Sequence, residues 1–140
     1  MTKYQPSPEV LQAMFNKSLV KIASARIDLK EGLFDDAASR AYYAAFHAIS
    51  AVLAQRGRTF SSHGQLLGAF NREFVKTNEF PPDTYRRLQR LFEDRQTGDY
   101  DWAAQIDEET AKQDLEDAEQ IIELCRKYLE KATGQSFSQK

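Results

Sequence analysis

Apolar residues return every three or four positions through most of this chain, and strand-like alternation occurs nowhere in it. After Ser7-Pro8-Glu9, where serine can cap a helix and proline can begin one, Leu11, Phe15, Ser18, Ile22, Ala25 and Leu29 hold a single seam as far as Gly32. A second helix is predicted from about Asp35 to Arg56, closing at Gly57. A third follows Ser61-Ser62, with Leu66, Phe70 and Phe74 facing inward, and Asn78-Glu-Phe-Pro-Pro82 breaks it. The fourth starts there and places Tyr85, Leu88 and Phe92 on one face. Residues 98–106 read as irregular, with Gly98 supplying a positive φ in a helix-ending turn. The last helix, about Asp107 to Ala132, repeats Ala111, Leu115, Ala118, Ile122, Cys125 and Leu129 before Gly134.

Five helices with short connections predict an all-α fold, a five-helix antiparallel up-and-down bundle. One domain over residues 1–134 and a flexible tail over 135–140 complete the expected organisation. The second helix differs from the others. Its core, Ala41 to Ala54, is apolar almost all round, so it should be contacted on most sides. It is expected to form the centre of the bundle or to pack one flank on a second copy, which makes a homodimer the expected assembly.

The fourth seam holds an anomaly. Counting three on from Phe92 reaches Arg95, and four more reaches Asp99. A guanidinium on a bundle seam must be paired or hydrated, since an unpaired buried charge costs several kcal/mol on the order of. Arg95 is therefore either a structural ion-pair partner, with Asp99 or Asp36, or the anchor of an anion site. Asp99 and Tyr100 share that choice.

Charge narrows the classes. The net charge of −2 is not that of a protein that coats polyanions, although bases concentrate between Arg72 and Arg95. The acids of the last helix are expected on its exposed face, and Arg86, Arg87 and Arg90 on a solvated one. A single cysteine, Cys125, excludes an internal disulfide and fits a reducing compartment. The opening residues show no apolar signal core, and the longest nearly uncharged run, Ala41 to Gln55, is too short to span a bilayer. A cytoplasmic protein with no membrane partner is the expectation. Two histidines and no compact ligand spacing predict no metal site and no cofactor.

Three segments together, Ser39-Arg-Ala-Tyr-Tyr-Ala-Ala-Phe-His47, Ser61-Ser-His-Gly64 and Arg95-x-x-x-Asp-Tyr100, resemble the HEPN domain family, in particular its small stand-alone prokaryotic members. The resemblance spans roughly residues 8 to 131. It implies a dimerising helical bundle, and nucleotide binding or RNA cleavage as in toxin–antitoxin systems. It also implies a minimal nucleotidyltransferase as partner. Ribonuclease members carry an arginine, four to six residues, and then a histidine. Arg95 matches the arginine, but residues 96 to 102 are Gln96, Thr97, Gly98, Asp99, Tyr100, Asp101 and Trp102, with no histidine. In a related branch the partner enzyme adenylylates a tyrosine shortly after that histidine, and Tyr100 is the nearest counterpart.

The candidate catalytic residues are thus Arg95, Asp99 and Tyr100. The candidate ligand-binding residues are Arg95, Tyr100, Tyr43, His47 and His63, for a nucleotide or RNA phosphate. Each has a plainer reading beside it. Ser61 and Ser62 would cap the third helix with His63 at the surface. His47, a turn from Tyr43, would be a buried ring satisfied by a tyrosine hydroxyl or a carbonyl. Tyr42, Tyr43 and Phe46 would be core or dimer contacts sooner than a platform for bases. A non-catalytic regulator of a nucleotidyltransferase is the second functional reading.

Overall fold

A computed structural model of the chain describes residues 5–137. Five helices and no strand occur among them: α1 (Pro8–Lys30), α2 (Phe34–Gln55), α3 (His63–Phe70), α4 (Thr84–Tyr100) and α5 (Glu108–Thr133). A single π turn, Asn71–Val75, continues α3. The caps are those the sequence predicts. The Ser7 and Ser62 hydroxyls accept from the amides of Val10 and Gln65 at 3.3 and 3.1 Å, and Asp107 accepts from Thr110 at 2.8 Å.

The all-α bundle forms around α2. Its buried face is mostly alanine, and α1, α4 and α5 all pack on it. Small side chains let three helices approach one axis, while Tyr42, Ile49 and Leu53 fill the remaining space. Around α2 the seams predicted for α1, α3 and α5 are buried except for half-buried Leu29 and Leu115. On α4 Leu88 is buried together with Leu91, while Tyr85 and Phe92 are half-buried.

Three expectations change. Residues 98 to 100 are helical, so Gly98 ends nothing and has no positive φ. It is a point of close approach instead: a Cβ there would lie 3.4 Å from Asp35 and from Ile106. The last turn of α4 thereby packs against the start of α2, where Asp35 accepts from the Ile106 amide at 2.9 Å. Next, the chain beyond Gly134 is anchored. Phe137 is fully buried, edge-on to Phe15, and its amide donates to Glu130 at 2.8 Å. The remainder of the expected tail, residues 138–140, lies outside the described residues.

The third change concerns charge. Asp117 of α5 is fully buried and accepts from Arg87 at 2.6 Å and from Arg90 at 2.7 and 2.9 Å. Two arginines expected in solvent therefore tie α4 to α5, and only Arg86 stays on the exposed face. Asp114, one turn before Asp117, is also fully buried, and no donor reaches it. Asp94 of α4 stands beside it. Two carboxyls can bond each other only if one keeps a proton. Burial, and then Asp94, push the Asp114 carboxyl well above the usual carboxylate range.

The consequence for stability has a definite sign. An acid whose pKa is higher in the folded chain binds more protons folded than unfolded, so stability falls as pH rises above about 4. Asp114→Asn keeps the shape and a donor toward Asp94 but has no proton to lose. Its unfolding free energy should exceed the parent's by about 1–3 kcal/mol at pH 7, and the gap should close toward pH 4. Urea unfolding across that range tests this, and parallel pH slopes in the two proteins would refute it.

Candidate functional site

The helical seam that places Arg95 inward delivers its guanidinium to the Tyr-Tyr step of α2. The side chain is only 12% exposed. Its Cζ lies 5.5, 5.2 and 5.4 Å from the ring centres of Tyr42, Tyr43 and Tyr100. Three electron-rich faces thus surround one cation, a geometry that replaces part of the lost hydration. One amino nitrogen, Nη2, donates to the Tyr43 hydroxyl at 2.5 Å.

Asp99, one turn on, provides the counter-charge. Its Oδ2 is 3.3 Å from Arg95 Nε, close enough for an ion pair but not aligned as a hydrogen bond, and Ser39 donates to the same oxygen at 3.4 Å. The other amino nitrogen, Nη1, has no partner among the described residues and is not buried. The cation is therefore gripped on one side and presents a donor on the other.

His63 joins this cluster from α3. Ser62 caps the helix as predicted, but the histidine turns inward: its Nδ1 is 2.8 Å from the Tyr42 hydroxyl. The imidazole lies 4.3 Å from the Phe46 ring at 30°, and 6.0 Å from Tyr43. Burial, then the charge of Arg95, lower its pKa from the ordinary value, so the ring is neutral at pH 7. Burial also raises Tyr42 to about 12, which keeps its hydroxyl protonated.

His47 occupies a different place. It is half-buried, and among the described residues no tyrosine hydroxyl or carbonyl satisfies it. It lines a groove between α1 and the approach to α3, of about 530 Å³, with Met14, Lys17, Phe46 and Phe60. Burial and then Lys17 and Lys21 lower its pKa. Of the ligand-binding candidates, Arg95, Tyr100, Tyr43 and His63 come together, and His47 lies on the flank.

Two members of the surroundings escape sequence reasoning. Tyr42 reads as core, yet it carries both the cation and the imidazole. Trp102 reads only as loop, yet it is 98% exposed, two residues beyond Tyr100, itself 64% exposed. An indole in a polar loop between two helices is the signal that would have found it. A cleft of about 620 Å³ between Phe80 and the end of α5 is lined by none of these residues.

A family model described as HEPN domain matches residues 11–128. The chain belongs to the HEPN family. A UPF0332 protein of Thermotoga maritima is 39% identical over 106 residues, covering 76% of this chain and 80% of that protein. A Methanocaldococcus jannaschii protein named "Putative toxin MJ0142" is 28% identical, covering 86% of this chain and 88% of its own. A UPF0332 protein of Archaeoglobus fulgidus is also 28% identical, covering 86% and 96%. This HEPN chain is therefore similar to small proteins over nearly their whole length. Its matched span includes every residue of the tyrosine-caged arginine and His63.

Proposed function

We propose that this HEPN protein binds the phosphodiester backbone of single-stranded RNA at Arg95 and acts as the ribonuclease-like toxin component of a two-protein system. The observation that carries the reading is the half-held guanidinium: three rings, Asp99 and the Tyr43 hydroxyl fix it, and Nη1 has no partner among the described residues. A donor left open beside a fixed positive charge is what a phosphate clamp requires. Tyr100 and Trp102 add exposed π-faces beside the clamp, which favour unpaired bases over duplex. The names of relatives such as the "Putative toxin" of M. jannaschii support the toxin role. A homodimer would set two such surfaces along one cleft, and the half-buried flank of Tyr43, Phe46 and His47 on α2 is the face such a dimer would use. A cytoplasmic setting fits the buried, unreactive Cys125 thiol, and no helix of the structure is long and apolar enough to cross a membrane.

Arg95→Ala should weaken binding of a fluorescent single-stranded RNA at least tenfold, with helicity by circular dichroism unchanged. Arg95→Lys should fall between the two, because a lysine keeps the charge without the planar fork. Equal affinity for parent and Arg95→Ala would remove the assignment.

Trp102→Ala should cost roughly 1 kcal/mol or more of the same affinity if the indole stacks on a base. The loss should be smaller for a duplex of the same sequence. Fluorescence anisotropy with both probes measures the difference, and an equal effect on the two would argue against stacking.

The exposure of Tyr100 favours a second reading, in which a minimal nucleotidyltransferase binds this chain and adenylylates that hydroxyl. Its ring covers one face of Arg95, so a nucleotide attached there would shield the clamp. Co-expression with such an enzyme should add one nucleotide's mass on Tyr100 and none on Tyr100→Phe. An unmodified, unbound chain would remove this reading.

A further inference from the structure

A clamp of arginine and tyrosines can hold a phosphodiester but cannot take a proton from it near neutral pH. A guanidinium donates hydrogen bonds and has no acceptor to offer a proton. The Tyr42 hydroxyl, raised to about 12, keeps its proton. Asp99 is committed to Arg95 and Ser39. The imidazole of His63 is the one remaining group in the cluster suited to proton transfer.

Its placement has the parts of a positioned base. In the tautomer that serves as a base, Nδ1–H donates to the Tyr42 oxygen, which fixes the ring from behind and leaves the lone pair on Nε2. Phe46 packs on the face of the ring. Nε2 has no partner among the described residues and is not buried, which leaves that nitrogen for an incoming hydroxyl. Guanidinium and imidazole flank the same two rings, with the Tyr42 and Tyr43 centres 5.8 and 6.0 Å from the His63 ring.

We infer that His63 is the catalytic base of a metal-independent RNA transesterification at this site, reaching in from α3 to do the work of the histidine absent after Arg95. The inference rests on the reading of Arg95 as the phosphate clamp. In the step, Nε2 takes the proton of the ribose 2′-hydroxyl, the 2′-oxygen forms a bond to phosphorus, and the bond from phosphorus to the 5′-oxygen breaks. The departing 5′-oxygen takes a proton from water, the imidazolium returns its own to solvent, and a 2′,3′-cyclic phosphate remains. Arg95 Nη1 offsets the charge that builds on the phosphoryl oxygens. No metal or co-reactant enters the balance.

The full-length chain is incubated with a fluorescent single-stranded RNA oligonucleotide in excess EDTA, and binding is measured separately on the same oligonucleotide with 2′-O-methyl riboses, which cannot react. The parent should release cyclic-phosphate ends, and His63→Gln should cleave at least a hundredfold more slowly while binding the methylated probe within about threefold of the parent. Tyr42→Phe keeps the ring and loses the hydroxyl. It should shift the acid limb of the pH–rate profile, a change that mere damage to packing would not produce. The groups facing the imidazole are Arg95 from α4 and Tyr42, Tyr43 and His47 from α2. Burial and Arg95 place the parent's limb below the ordinary imidazole value, with the rate rising through it and level above. Parent-like cleavage by His63→Gln, or no cleavage by the parent while Arg95-dependent binding persists, overturns the role of His63 and leaves the clamp standing. Binding that ignores Arg95→Ala overturns the clamp itself.

Discussion

A positive charge drawn into a helical seam sets the terms for everything near it. Arg95 lies where packing would take a leucine, and its desolvation must be offset from within the fold. The offset comes mainly from π-faces, with Asp99 as a single loosely aligned anion. That choice matters chemically. Arg90, a little over one turn earlier on α4, is held by Asp117 of α5 through Nε and Nη2 on a single oxygen. Around Arg95 the rings share that task with the Tyr43 hydroxyl and Asp99. The two arginines of α4 thus show two ways of holding a cation against a bundle, one by a buried carboxylate and one chiefly by aromatic faces.

The rest of the bundle keeps that arrangement rigid. Alanines on α2 bring α4 close enough for its arginine to reach Tyr43, and Gly98 lets the last turn of α4 touch α2 at Asp35. On its other side α4 is tied to α5 by the Arg87, Arg90 and Asp117 network and by the carboxyl pair of Asp94 and Asp114. Asp94 directly precedes Arg95. A protonated Asp114 avoids placing a further negative charge beside Asp94 and Asp117 between the helices.

How much of this could be read from the chain depended on the range of the interaction. Spacings of three and four gave the helices, the seams and the inward position of Arg95, because a helical face is decided by near neighbours. The serine caps were legible for the same reason. Gly98 misled because glycine's usual place is a helix end, while here contact with Asp35 and Ile106, distant in sequence, decides its conformation. Asp117 and the two arginines were missed alike: each charge is ordinary on its own helix, and only the packing of α4 on α5 shows that the three meet. Phe137 was a lone aromatic in a polar tail, with nothing local to say that Phe15 awaited it.

His63 carries the same lesson into chemistry. A histidine next to a capping serine has a complete local explanation, and nothing in its own segment points to Tyr42, 21 residues earlier. Searching for a proton acceptor at a fixed interval after an arginine assumes that both groups come from one helix. What the reaction requires is an imidazole in reach of the sugar, held in one orientation, beside a cation in reach of the phosphate. In a bundle with α2 at its centre, α3 and α4 both border the same tyrosines, so either could deliver the imidazole. The absence of histidine from residues 96–102 is thus a statement about spacing, and the contents of the site follow from which helices touch the Tyr42–Tyr43 step.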